Sequence, residues 1–185
     1  MNHTILWRRI DKPGHEYSRL SELEGGGAKL GGVAVFSNDD TPHCIEYEIL
    51  CDASWRTLRC RIAEHSGGKR TDHDIRHEGN VWTLNGVEVP GVSGAEDVDL
   101  EFSPSTNLLP VRRLSIQVGD QVAVRAAWVR FPEFTVEPLD QTYTRLTDET
   151  YRYESAVGAF RRDLKVDENG FVLDYPQLWV AESRA

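Results

Sequence analysis

Apolar residues in this chain recur at every second position, the period of a β-strand rather than of a helix. Ile45, Tyr47, Ile49 and Cys51 share one side of such a run, with Glu46 and Glu48 on the other. Successive side chains of a strand point to opposite faces, so the run has one dry face and one wet face. Leu58, Cys60 and Ile62 repeat the pattern against Arg59 and Arg61, as do Val98, Leu100 and Phe102 against Asp97, Asp99 and Glu101. Val122, Val124, Ala126 and Trp128 form one face of a longer strand whose other face carries Arg125 and Val129. Residues 142–146 and 150–155 read as a strand pair turning at Asp148-Glu149. Asn85-Gly86 and Asn169-Gly170 each sit between apolar runs. Asn-Gly supplies the positive φ angles of a two-residue type I′ turn, so both are expected to close hairpins. No linker, repeat or low-complexity block interrupts the pattern. The expected architecture is all-β and mainly antiparallel, one domain over residues 1–185.

One segment breaks the alternation. From Asn107 to Leu114 the spacing predicts a short helix. Asn107 is expected to cap it by accepting a free N–H of the first turn. Pro110 falls at the third helical position, where its missing N–H has no intrahelical partner. At about 100° per residue, Leu108, Pro110, Val111 and Leu114 occupy one arc, and Arg112 and Arg113 the other.

Composition excludes several classes. A net charge of −9 repels phosphate backbones, so nucleic acid is not an expected partner. No stretch has the ~18 apolar residues of a spanning helix, and Met1–Arg9 lacks the apolar run of a secretion signal. The expected compartment is the cytoplasm. Cysteine usage agrees, since the 3 thiols Cys44, Cys51 and Cys60 are odd in number and form no C-x-x-C. Cys51 and Cys60 are expected to be small buried hydrophobes.

Chemistry-bearing residues are present without a signature that commits them. Arg112 and Arg113 suit a phosphate or carboxylate, or a structural pairing with Asp97, Asp99 and Glu101 close by in sequence; the pairing is the expected role. Those three acids fit a solvated or salt-bridged strand face, with cation binding or acid/base work as the sharper alternative. Glu133 and Glu137, read as one strand face, stand about 13 Å apart, too far for glycosidase carboxylates within one strand. His73 and His77 are four residues apart. On a helix they would make a metal face, but Gly68 and Gly79 argue for a strand or loop, and a solvated turn is expected. The triple glycine at 25–27 lacks the context of a phosphate loop, and no G-x-S-x-G elbow occurs. No cofactor is expected.

Longer blocks resemble a known family. They are Tyr47–Arg56, Asp97–Leu114 with its Phe102-Ser103-Pro104-Ser105-Thr106-Asn107 core, Ala126–Pro138 with Arg130-Phe131-Pro132-Glu133, and Val172–Trp179. In order and spacing they resemble the bacterial "putative glycolipid-binding" family. The resemblance implies a spiral β-roll, a long antiparallel sheet coiled around a single short helix near residues 107–114, often as a homodimer. It carries no functional residues over.

Three functions follow as expectations. The leading one is a binder of a glycolipid or similar amphiphile, with an acyl chain between sheet and helix and arginines and tyrosines at the mouth. Its candidate residues are Arg112, Arg113, Arg125, Trp128, Tyr143, Arg145, Tyr151 and Tyr153, taken because arginine and aromatic side chains coexist on strands beside the helix. The alternatives are a carboxylate-dependent enzyme acting on a sugar or glycoconjugate, and a ligand-free dimerising module.

Overall fold

The alternation becomes a single 15-stranded sheet in the computed structural model, which describes residues 2–185. The first half of the chain is a meander of β1 (Asn2–Arg9), β2 (Gly14–Glu22), β3 (Ala28–Asn38), β4 (Thr41–Cys51), β5 (Thr57–Ser66), β6 (Lys69–Glu78), β7 (Val81–Leu84) and β8 (Val87–Glu88). After β9 (Asp97–Leu100) and α1 (Leu108–Leu114), the second half runs through β10 (Gln121–Val129), β11 (Val136–Arg145), β12 (Thr150–Ser155), β13 (Phe160–Val166), β14 (Val172–Tyr175) and β15 (Trp179–Arg184). Spatial order is β8 to β1, then β15 down to β9, so the first and last strands meet mid-sheet.

Every neighbour pair is antiparallel except β9 and β10, where Asp97 faces Ala126 in parallel register. A parallel pair needs a long crossover. Residues 101–120 supply it, and α1 is its helix. The sheet coils until its two halves touch. The Thr57 N–H donates to Glu96 O at 3.0 Å, and the Val98 N–H donates to Thr57 Oγ1 at 3.1 Å. Trp82 reinforces this seam, donating its indole N–H to Ala95 O at 3.1 Å. The enclosed face holds the core, in which Trp7, Trp82, Tyr143, Phe102 and Phe171 are the largest fully buried side chains. Each such side chain contributes about 1.5–3 kcal/mol by leaving water.

The alternating runs lie where the sequence places them, with informative departures. Cys60 and Ile62 point inward, but Leu58 is 41% exposed. The β4–β5 register slips there: Leu50 faces Arg59 and Cys51 faces Thr57, so Leu58 is the extra residue of a bulge and loses its inward phase. Asn85 and Gly86 both take positive φ, as a type I′ turn requires. At the other Asn-Gly pair only Gly170 does. There Asp167 organises a longer turn, accepting the N–H groups of Asn169 and Phe171 on its carboxylate and of Gly170 on its carbonyl.

The helix is short and starts at Leu108, but Asn107 does not cap it. Asn107 has helical φ and ends a 3₁₀ turn, Ser105–Asn107, that continues the helix backwards. Its amide instead donates to Pro104 O and accepts from the Tyr143 hydroxyl at 3.0 Å. Leu108, Leu109 and Pro110 are buried, whereas Val111 and Leu114 are only partly so. His73 and His77 lie on a strand, β6, rather than a solvated turn. His77 stacks on Trp82 and His73 on Phe134. Glu133 and Glu137 share no strand, because Glu133 sits in the turn before β11.

Candidate functional site

Two inward-facing positions on β1 and β2 bring charge into the roll. Ile5, Trp7 and Arg9 share the inner parity of β1, and Glu16, Ser18 and Leu20 that of β2. Glu16 is fully buried. Its Oε1 lies 2.6 Å from the Tyr47 hydroxyl and accepts from Ser103 Oγ at 2.6 Å. Tyr47 Oη is also 2.8 Å from Ser105 Oγ, so the network ties β2 and β4 to the segment that leads into α1. Gly32 makes room for it, since a β-carbon there would stand 2.5 Å from Tyr47 Oη. Burial pushes the Glu16 carboxyl up to about 7, against the lowering pull of its hydrogen bonds to Ser103 and Tyr47 and of the nearby Arg9 charge. Arg9 gives two hydrogen bonds to Asp11, and its guanidinium lies 4.8 Å from the Phe36 ring centre and 5.1 Å from that of Trp179. Arg9 Nη1 and Glu16 Oε2 are buried without a partner among the described residues.

In front of this network a cleft of about 420 Å³ separates the Asp99–Asn107 segment from the inner face of β11–β15. Its deep wall carries Ser103, Asn107, Tyr153, Tyr175 and Trp179, all buried. Its outer wall carries the half-buried Trp128, Leu139, Phe160 and Leu178. Asp99 projects between them. Gln141 donates to its carboxylate and also, at 3.1 Å, to the Tyr153 hydroxyl. Burial raises the Asp99 carboxyl to about 6; the Gln141 hydrogen bond opposes that rise, while Glu101 and Asp97 add to it. The cleft thus mixes hydrogen-bonding groups and rings at depth and has a rim that is apolar on one side and carries exposed Glu101 on the other, unlike an acyl slot with an arginine mouth. The space between sheet and helix is filled, since Leu108 and Leu109 are fully buried. A larger depression of about 640 Å³ lies on the sheet along Ala123–Arg125 and Asp140–Thr142. It is more open and has no aromatic wall, which makes it the weaker candidate.

Of the sequence-predicted residues, Trp128 and Tyr153 line the cleft. The others lie elsewhere. Arg113 pairs with buried Asp97 at 2.6 Å. Arg112 pairs with Glu22 at 2.9 Å and lies over Trp55. Arg125 pairs with Asp140 on the exposed face. Tyr143 is buried behind the cleft on Asn107. Arg145 donates to the carbonyls of Ile116 and Asp148 and lies over Tyr151. Of the acids, Glu101 and Glu137 pair with Arg130. Sequence reasoning missed Arg9 and Glu16, although the parity of Trp7 with Arg9 was available. At β2 the pattern misleads, because Tyr17 points out at 46% exposure while Glu16 points in. Cys51 and Cys60 are buried free thiols. Among the described residues no cluster of His, Cys, Asp and Glu is arranged to hold a metal ion.

Known proteins place this architecture. A family model described as "Putative glycolipid-binding" matches residues 4–181. The crystal structure of a DUF1089 family protein from Pseudomonas aeruginosa is 30% identical, covering 88% of this chain and 90% of that one with a TM-score of 0.75. A β-barrel-like protein of the DUF1849 domain from Brucella abortus shares the fold at 11% identity, with a TM-score of 0.57 over 99% of this chain and 96% of its own. No curated protein matches. With nearly the whole sheet inside the matched span, the chain belongs to the "Putative glycolipid-binding" family.

Proposed function

We propose that the protein binds an amphiphile of the glycolipid class, head first, in the cleft beside Asp99. The observation that carries this reading is the order of chemistry along the cleft. Buried Ser103 and Asn107 share the inner wall with the rings of Tyr153, Tyr175 and Trp179, half-buried Asp99 projects beside them, and Trp128, Leu139 and Leu178 form an apolar side of the rim for the start of a chain. Small-molecule sites have this character, with an aromatic wall and a few convergent polar groups. Family membership supports it independently. No helix among the described residues is long and apolar enough to cross a membrane. The test is native mass spectrometry of gently purified protein, followed by organic extraction. A co-purifying amphiphile lost in a Trp128→Ala variant is the expected result. Ligand-free preparations that also fail to take up added alkyl glycosides would remove the proposal.

A second reading has its own observation. Asp99 and Glu101 both line the cleft, and the Asp99 carboxyl, raised to about 6, could donate a proton to a leaving group near neutral pH. Glu101 is engaged by Arg130, which argues against it as the second carboxylate. Release of nitrophenol from nitrophenyl glycosides, abolished in Asp99→Asn, would favour this reading.

A further inference from the structure

We infer that the cleft selects heads that are uncharged and polyhydroxylated and turns away heads that carry phosphate, sulfate or carboxylate, with Asp99 as the selecting residue. The inference rests on the amphiphile-binding reading and narrows its ligand class. It starts from charge. Asp99 has no cationic partner among the described residues, and its side-chain donor is the neutral amide of Gln141. Glu101 lines the same space, and Glu16 lies directly behind Ser103. The arginines nearby are engaged. Arg9, the one cation lining the cleft among the described residues, gives Nε and Nη2 to Asp11. Arg130 is taken by Glu101 and Glu137, and Arg113 by Asp97. An anionic head would therefore enter beside an unpaired carboxylate and find no guanidinium fork free to receive it. Where a ligand displaces water, that like-charge repulsion is screened poorly.

An uncharged polyol meets the opposite situation. Its hydroxyl protons suit the Asp99 carboxylate in charge-assisted hydrogen bonds. Its hydroxyl oxygens suit the Arg9 side chain, whose charge is already matched by Asp11. Asn107 keeps one amide proton beyond its bond to Pro104 O, and the half-buried Trp128, stacked by Arg130 on one face, offers its other face to the C–H side of a pyranose ring.

The test uses the full chain and two matched amphiphiles below their micelle concentrations, octyl β-D-glucoside and octyl β-D-glucuronide. They differ only in a hydroxymethyl group against a carboxylate. By isothermal titration calorimetry at about pH 7.5, the glucoside is expected to bind at least about tenfold tighter. The titratable and charged groups around Asp99 are Asp97 on its own strand and Glu101 just after it, Tyr143, Tyr153 and Tyr175 across the cleft, Arg9 from β1, and Glu16 behind Ser103. At about pH 5, below the Asp99 pKa of about 6 and the Glu16 pKa of about 7, the glucuronide stays ionised while both carboxyls are protonated, so the gap should shrink to about threefold. Asp99→Asn should shrink it likewise at neutral pH; if that variant does not fold, Glu16→Gln, which removes the other titrating carboxyl, should still show the shrinkage at low pH. Equal or tighter binding of the glucuronide at neutral pH overturns the inference and leaves amphiphile binding intact. A gap unchanged at low pH also overturns it, because selection would then not lie with Asp99. Binding of neither compound removes the inference and the proposed function together.

Discussion

Arg113 and Arg112 are neighbours in sequence with opposite fates. Arg113 is largely buried against a carboxylate that is itself only 4% exposed, whereas Arg112 faces a half-exposed Glu22. Breaking a buried pair strands the surviving charge. Arg113→Ala is expected to cost about 3 kcal/mol or more in urea unfolding, and Arg112→Ala no more than about 1 kcal/mol. Similar losses for both would show that the Arg113–Asp97 pair is not the anchor. Glu16 gives a prediction of pH dependence. Its folded carboxyl protonates at about 7 against an ordinary value of 4.5, so the folded chain holds this proton more tightly than the unfolded one. The resulting stability is fully present below about pH 4.5 and is lost as pH rises towards 7. Subtracting the unfolding curves of Glu16→Gln from those of the wild type should isolate a fall on the order of 3 kcal/mol across that window. A flat or rising difference would refute the buried, partner-poor carboxylate. At this scale the sequence was partly readable. Of the pairings expected between Arg112, Arg113 and the acids Asp97, Asp99 and Glu101, only Arg113 with Asp97 forms, and an inward glutamate was concealed, because its neighbour Tyr17 is the residue that pattern alone would bury.

Strands were the most legible elements, since one wet and one dry face leave a period of two in the residues themselves. What escaped was phase slippage. The bulge at Leu58 is caused by a register change against Leu50 and Cys51, which depends on a second strand and leaves no mark in the first. Turn type escaped for a related reason. Both Asn-Gly pairs close hairpins, but the carboxylate of Asp167 captures the second and lengthens it. The helix and its start at Leu108 were located correctly and only the capping bond was misread, because Tyr143, 36 residues away, claims the Asn107 oxygen that would otherwise cap it. Strand β3 carries a requirement that composition does not reveal. Gly32→Ala would place a methyl 2.5 Å from Tyr47 Oη and 2.6 Å from Tyr17 O. It is expected to destabilise the fold by about 1–3 kcal/mol through overpacking, and by displacing Tyr47 to bring the Glu16 carboxyl to a different pKa. Carbon-detected NMR titration of that carboxylate would check the second effect, and an unchanged midpoint would contradict it.

The molecule as a whole is one sheet whose ends are drawn together by the β9 crossover. The crossover does two jobs: it carries α1 into the roll, and it lays Asp99, Ser103 and Asn107 opposite the rings of β12–β15. Neither half of the chain contains the cleft alone. Residues from β1, β9, β12, β14 and β15 meet only once the sheet has coiled, which is why no local motif announced the site and why arginines near the helix looked like better candidates. The five tryptophans provide a direct probe of the central claim that this cleft seats an amphiphile. Trp128 and Trp179 line it, whereas the indole N–H groups of Trp7 and Trp82 are tied to Val172 O and Ala95 O and Trp55 lies under Arg112. In ¹⁵N-labelled protein titrated with octyl β-D-glucoside below its micelle concentration, the indole signals of Trp128 and Trp179 should shift and saturate while those of Trp7, Trp55 and Trp82 stay in place. Perturbation confined to backbone amides of the Arg125–Asp140 depression, or none at all, would contradict it.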